Sequence, residues 1–290
     1  MKRDVQYYSE GSLIKAILHL PEDFEEGGKL PIIILCHGFA GIKELLLPNY
    51  AEAFSAAGFA ALTFDYRGFG ESEGEEGKLS PRLQMVDIRN TITYVQSLKE
   101  VDPQRVGLWG TSFGGANAVV TTARDKRVKC LAVQLTFADG ERVVTGGMTP
   151  EEKEKLFATM LKVWTKSVTR NQVMKMPVNK ALTDEQSIEF FKKAMEEFPH
   201  INVKIPFFTT METMEHKPEQ HVKNVQVPIL IVAAADDMVN PAKESEILFE
   251  KANEPKELMM VEGASHYEVY EGDLFQQVVT KQIQWFTKYL

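Results

Sequence analysis

Short, uninterrupted apolar runs alternate along the chain with longer stretches in which apolar residues recur at helical spacing. Leu30-Pro-Ile-Ile-Ile-Leu-Cys36, Phe59-Ala-Ala-Leu-Thr-Phe64, Arg105 to Trp109, Val128 to Leu135, Val227 to Ala235 and Glu257 to Val261 all have strand length. Continuous rather than alternating hydrophobicity marks strands covered on both faces, which requires helices between them. Leu45 to Ala57, stopped by Gly58, supplies one, and Pro81 to Ser97, Phe113 to Ala123 and Ala242 to Ala252 supply others. A last helical stripe, Leu274, Val278, Ile283, Phe286 and Leu290, closes the chain. The first twenty residues read as two strands turning at Glu10-Gly11, an antiparallel edge hairpin. The pattern predicts an α/β fold, a doubly wound and mostly parallel sheet.

From Asp139 to Asn224 the alternation stops, and the spacing predicts helices and no strand. Pro150 opens one helix, with Leu156, Met160, Trp164 and Val168 recurring every four residues, and a second runs from Asp184 to Glu197. The expected organisation is therefore a core in two parts, 1–138 and 225–290, around an inserted helical cap at 139–224. Seven of the 12 methionines fall in that insertion with several aromatics. Such deformable apolar residues suit a hydrophobic pocket, with Trp164, Phe207, Phe208 and Met211 as the expected substrate contacts. The same inventory equally serves to pack cap helices onto the core, or onto a second copy in a homodimer.

Composition narrows the classes. With 44% hydrophobic and 26% charged among 290 residues, the chain can bury a large core and is not disordered. A net charge of −8 without a Lys/Arg stripe argues against nucleic acid and anionic membranes as partners. Cys36 and Cys130 sit in strand-like runs and read as buried small hydrophobes rather than a disulfide. The start lacks an apolar leader and no run suffices to span a membrane, so a cytoplasmic location is expected.

The chemistry centres on Gly110-Thr111-Ser112-Phe113-Gly114, set between a strand and a helix. In a G-x-S-x-G elbow the serine occupies a strained turn that projects its hydroxyl, and the glycines stand where a Cβ would collide with neighbouring chain. A serine hydroxyl needs a base, itself oriented by an acid. His266 follows the last strand and Asp237 follows the one before it, each at the end expected to carry ligand chemistry. Asp236 competes with Asp237, and Asp139 is a more distant alternative. Two backbone N–H groups are the candidates for an oxyanion hole: Phe113 at the helix start, and Phe39 in the loop His37-Gly-Phe39-Ala-Gly41. His37 reads as a turn residue, with metal ligation or a base role as the alternative.

His37-Gly-Phe39, Asp65-Tyr-Arg-Gly-Phe-Gly-Glu-Ser72, the pentapeptide, Asp237-Met-Val-Asn-Pro241 and Gly263-Ala-Ser-His266, in the order Ser, Asp, His, together resemble the α/β-hydrolase superfamily. Within it the chain is similar to dienelactone-hydrolase-like, X-Pro-dipeptidyl-peptidase-like and polyketide-transferase-like esterases. The resemblance covers residues 1 to about 137 and 225 to 290, and implies an α/β-hydrolase fold with oxyanion donors at Phe39 and Phe113. The length leaves no room for the extra domains of an X-Pro-type peptidase, so ester chemistry is expected over peptide cleavage.

No phosphate loop, dinucleotide fingerprint or metal-spaced Cys/His cluster is present in the sequence. Gly68 to Gly77 lacks the Lys-Ser/Thr of a P-loop, and the five-residue separation of His216 and His221 does not put two ligands on one helix face, so no cofactor and no metal are expected. The leading reading is a serine hydrolase of the carboxylesterase kind, acting on a small-molecule ester or thioester through an acyl-enzyme on Ser112. Its competitors are an acyltransferase or C–C bond hydrolase using the same residues, and a non-catalytic binding protein on the same fold.

Overall fold

The computed structural model describes residues 1–290. The chain begins with strands β1 (Lys2–Ser9), β2 (Ser12–His19) and β3 (Leu30–Cys36), followed by helix α1 (Leu47–Ala56), β4 (Ala60–Phe64) and α2 (Pro81–Val95). It continues through β5 (Val101–Thr111), α3 (Phe113–Arg124) and β6 (Val128–Gln134). Next come α4 (Gly140–Thr145), α5 (Pro150–Arg170), β7 (Lys175–Pro177), α6 (Glu185–Glu197), β8 (Lys204–Pro206) and α7 (Phe208–Glu215). Strand β9 (Ile229–Ala234), α8 (Ala242–Lys251), β10 (Lys256–Val261) and α9 (Gly272–Tyr289) end it.

Eight strands form one sheet in the order β1-β2-β4-β3-β5-β6-β9-β10. From β4 to β10 all neighbours are parallel, while β2 joins β4, and β1 joins β2, antiparallel. The hairpin turns at Glu10 and Gly11, both at positive φ (47° and 85°), the handedness that suits a two-residue turn between twisted strands. Each central strand feeds two cores. Ile32, Ile34 and Cys36 of β3 pack with α2 and α3 on one face, whereas Ile33 and Leu35 pack with α1 and α9 on the other. That double burial explains why the run is apolar throughout. On the second face Trp109 donates to Gln282, whose amide donates to Gln134, tying α9 to β5 and β6 with buried bonds of 2.9 and 2.8 Å.

The segment between β6 and β9 differs from expectation in two respects. It contains a short antiparallel ladder, β7 with β8, where no strand was predicted. Three residues per strand, each ending in proline, are too few to show alternation. The expected inner stripe of α5 also splits: Met160 is buried, but Trp164 and Val168 are 51% and 72% exposed. Steps of four residues advance about 400°, so each drifts about 40° around the helix and the third and fourth members leave the buried face. Met160 and Val163 instead pack on Phe207 and Met214. No helix is long and apolar enough to cross a membrane.

Candidate active site

Ser112 follows β5 directly, at φ 51° and ψ −122°, before α3 begins at Phe113. Positive φ on a non-glycine residue costs about 1–3 kcal/mol and persists only where the surroundings enforce it. The glycines do so here. A Cβ on Gly114 would lie 2.2 Å from the carbonyl oxygen of Cys36 and 2.3 Å from that of His37, and one on Gly110 would lie 2.7 Å from the Gly114 carbonyl oxygen. Gly115 abuts Thr136, whose hydroxyl donates to the Ser112 carbonyl at 2.8 Å. The first turn of α3 thus passes against the ends of β3 and β6, leaving the Ser112 side chain to point out of the turn. Ala40, Leu46 and Leu135, also at positive φ, border the same region.

Asp237 lies past β9 and His266 past β10, and the fold brings them together. His266 Nδ1 is 2.7 Å from Asp237 Oδ2, with the side chains 3% and 1% exposed. An ionised carboxylate only accepts, so Nδ1 carries the proton of this bond and Nε2 is left free for another partner. The other oxygen, Oδ1, accepts the backbone N–H groups of Val239 and Asn240, both at 2.8 Å. Asp236 points outward and is exposed. Asp139 is occupied elsewhere: it caps α4 by accepting from the N–H groups of Glu141 and Arg142 and pairs with Lys217 at 3.2 Å.

The loop after β3 is pinned beside the serine. A Cβ on Gly38 would sit 3.3 Å from Ser112 Cβ, and the rings of Phe39 and Phe113 meet edge-on at 5.7 Å. The Phe113 N–H, at the start of α3, has no acceptor within its own helix. The Asp65 motif supplies the anchor rather than the chemistry. Asp65 Oδ1 accepts from the Lys43 backbone at 2.7 Å, and Oδ2 accepts Lys43 Nζ at 2.9 Å and the Glu71 N–H at 3.0 Å. Lys43 also bonds Glu44 and Glu71, so this acidic group of three surrounds its own ammonium. Burial pulls the Lys43 pKa down, but the three carboxylates prevail and raise it above the ordinary lysine value.

His37 Nδ1 donates to the Gly38 carbonyl (3.1 Å), and its ring meets Tyr66 edge-on at 4.6 Å. Burial lowers its pKa to about 4, so the imidazole is neutral near pH 7. His216, between Phe113 and Phe137, is likewise lowered to about 4 by burial. Cys36 and Cys130 are free and buried, and burial pushes the Cys36 thiol up to about 12.

A narrow cavity of about 40 Å³, room for a few waters, joins these parts. Ser112, His266, Phe39 and Leu46 line it from the core, with Tyr267 and Tyr270. From the segment between β6 and β9 come Leu182, Phe190 and Phe191. Trp164, Phe207, Phe208 and Met211, the contacts expected from sequence, are not among its walls. Phe207, Phe208 and Met211 belong to the cluster under α5, and half-exposed Trp164 meets Phe208 edge-on at 6.3 Å. An aromatic inventory does not reveal which helix faces the serine, and here the next helix along does.

Sequence reasoning also gave no role to Asn240. Its side-chain amide donates to Ser112 Oγ at 3.3 Å and to the Leu135 carbonyl at 2.7 Å. Its place in the Asp237 motif was the available signal. Gln186, at the start of α6, spans both loops: its Oε1 accepts the N–H groups of His266 (3.4 Å) and Met238 (3.5 Å), and its amide donates to the Asp236 carbonyl (3.3 Å). Beside it Phe190 stacks on Tyr267 at 4.2 Å.

A mostly parallel eight-stranded sheet with a strained serine between its fifth strand and the following helix defines an α/β hydrolase. More narrowly, the family model described as serine aminopeptidase, S33, matches residues 29–273, and the chain belongs to that family. It is 46% identical over 263 residues to an uncharacterized 31.7 kDa protein in the traX-finO intergenic region of Escherichia coli, covering 90% of this chain and 92% of that one. It is 28% identical to the thiohydrolase aneE of Aspergillus aculeatus, over 88% and 84% of the two chains. Among solved structures, DcsB in complex with its substrate analogue superposes with a TM-score of 0.86 at 25% identity, over 99% of both chains.

Proposed function

We propose that this hydrolase cleaves carboxylic esters or thioesters through an acyl-enzyme on Ser112. The observation that carries the reading is the buried 2.7 Å bond between His266 and Asp237, beside the same cavity as a serine held at positive φ. Ser112 Oγ attacks the acyl carbon while His266 Nε2 takes its proton. The carbonyl oxygen, now negative, is held by the N–H groups of Phe39 and Phe113. His266 then returns the proton to the departing alcohol or thiol, and a water activated by the same imidazole releases the acid. Asp237 holds the ring and stabilises its charged form.

The acyl group is uncharged and apolar in this reading, because no Lys, Arg, Asp or Glu lines the cavity. The segment between β6 and β9 acts as a cap, with Leu182, Phe190 and Phe191 roofing the serine. A void of about 40 Å³ admits a short acyl chain, and a longer one requires these three side chains to move. The similarity to a thiohydrolase supports thioesters within the substrate range.

Labelling with a fluorophosphonate probe tests the reading. One equivalent is expected on Ser112, with none on a folded Ser112→Ala protein, which should also lose hydrolysis of short-chain nitrophenyl esters and of acyl thioesters. An unlabelled wild type, or a Ser112→Ala protein that turns these substrates over, overturns it.

A further inference from the structure

The first two turns of α6 dock on the loops that carry His266 and Asp237. Asp184 caps the helix by accepting the Ser187 N–H at 2.8 Å, and Ser187, Phe191 and Ala194 form its buried face. Gln186 and Phe190, one turn apart, meet the two loops. Gln186 Oε1 accepts the N–H groups of Met238 from the acid loop and of His266 from the base loop, and its amide donates to the Asp236 carbonyl. Beneath these contacts the core ties the stems of the loops, where the Asp236 N–H donates to the Ala264 carbonyl at 2.9 Å. The His266 N–H finds its one acceptor in Gln186. Tyr267 is held from three sides. Its ring lies nearly parallel to that of Phe190, with centroids 4.2 Å apart, and meets the His266 ring edge-on at 4.9 Å. Its hydroxyl shares a 3.0 Å hydrogen bond with that of Ser187.

We propose that α6 positions the base of the reaction, with Gln186 and Tyr267 as the positioning residues through which it acts; the inference rests on the triad reading above. The bond from Nδ1 to Asp237 anchors the His266 ring at one atom and leaves it free to turn about that bond, which changes where Nε2 points. Two further constraints are needed, one on the backbone and one on the plane of the ring. Gln186 supplies the first. Tyr267 supplies the second, since Phe190 and Ser187 keep its own ring from shifting. Covering a cavity needs only apolar contact, whereas here one side-chain amide matches backbone groups on both loops of the dyad. The same helix walls the cavity with Phe190 and Phe191, so closing over the acyl group and aligning the base are one event. A misplacement of about 1 Å in such a group costs on the order of 100-fold in rate.

The rate of fluorophosphonate labelling at Ser112, with kcat and KM for nitrophenyl acetate, tests the coupling on the full chain. Gln186→Ala removes the three loop contacts without altering the cavity wall, to which Gln186 does not belong. It is expected to slow labelling and lower kcat by about tenfold, with KM within about twofold of wild type. Tyr267→Leu loses both ring contacts and should lower both rates by about 100-fold, whereas Tyr267→Phe keeps them and should retain about half of each. Lys193→Ala breaks only the exposed 2.9 Å pair with Glu189 on α6 and should leave both rates unchanged. Far-UV circular dichroism confirms that each variant is folded. Gln186→Ala and Tyr267→Leu proteins that label as fast as wild type overturn the inference and leave the serine-hydrolase reading standing. Equal losses in Lys193→Ala also overturn it, since any loosening of the helix would then suffice, as does a Gln186→Ala protein with raised KM and intact kcat. A wild type that takes no label removes the triad reading and this inference together.

Discussion

Asp237 spends its two carboxylate oxygens differently. Oδ2 takes the His266 ring at 2.7 Å, while Oδ1 takes two backbone N–H groups of its own loop at 2.8 Å. The loop bonds fix the direction of the carboxylate, and the carboxylate then fixes the tautomer and plane of the imidazole. A side chain one residue earlier could not do this, since Asp236 faces solvent on the other side of the same turn.

Replacing Asp237 by Asn should therefore lower kcat for a nitrophenyl ester by about 10⁴-fold, because the amide can no longer hold the ring in the correct tautomer. Asp236→Asn should leave kcat within a factor of two or so of wild type. Asp139→Asn should also retain activity and alter at most the stability, since Asn also caps helices well. Steady-state kinetics on the three proteins decide which carboxylate serves, and a large loss at Asp139 alone would reject the assignment.

Asn240 links the serine to the turn after β6, and its loss should be felt in both rate and stability. In Asn240→Ala the Ser112 hydroxyl loses a neighbouring donor and the Leu135 carbonyl is left buried without its partner, costing about 1–3 kcal/mol. A fall in kcat of about tenfold with KM little changed is expected if the amide orients Oγ. Reduced stability with unchanged kcat would confine Asn240 to a structural role.

Acid should destabilise the fold through its buried imidazoles. His37 and His216 have folded-state values lowered to about 4 by burial, against 6.5 when exposed. Well above pH 6.5 neither state binds a proton, and the groups contribute nothing to the pH dependence. Between pH 6.5 and 4 the unfolded chain takes up protons that the folded chain refuses, so stability falls as pH falls. The melting temperature should drop by on the order of 5 °C from pH 7 to pH 5, and His216→Leu should flatten part of that slope. A melting temperature that is level across this window in both proteins would contradict the assignment.

Much of the architecture was legible because its signals are local. β3 is apolar throughout since both faces are buried, and the elbow declares itself because Gly110, Gly114 and Gly115 stand where backbone or Thr136 comes within 3 Å of a Cβ. The segment between β6 and β9 was less legible. Its three-residue strands carry no period, and the apolar residues of α5 run on from its buried stripe to its exposed side, which blurs the helical signal.

By itself the sequence determined the order of strands and helices in the two-part core, the elbow at Ser112, and the candidates His266 and Asp237, because burial pattern and turn chemistry are written in neighbouring residues. Only the tertiary structure decided that Asp237 rather than Asp236 or Asp139 meets His266, that Asn240 reaches Ser112 across 128 positions, and that Phe190 and Phe191 rather than Trp164 or Phe208 face the serine. Those choices depend on how distant loops are rotated against one another, and a rotation of one residue in a turn reverses the side from which a carboxylate or a ring is presented.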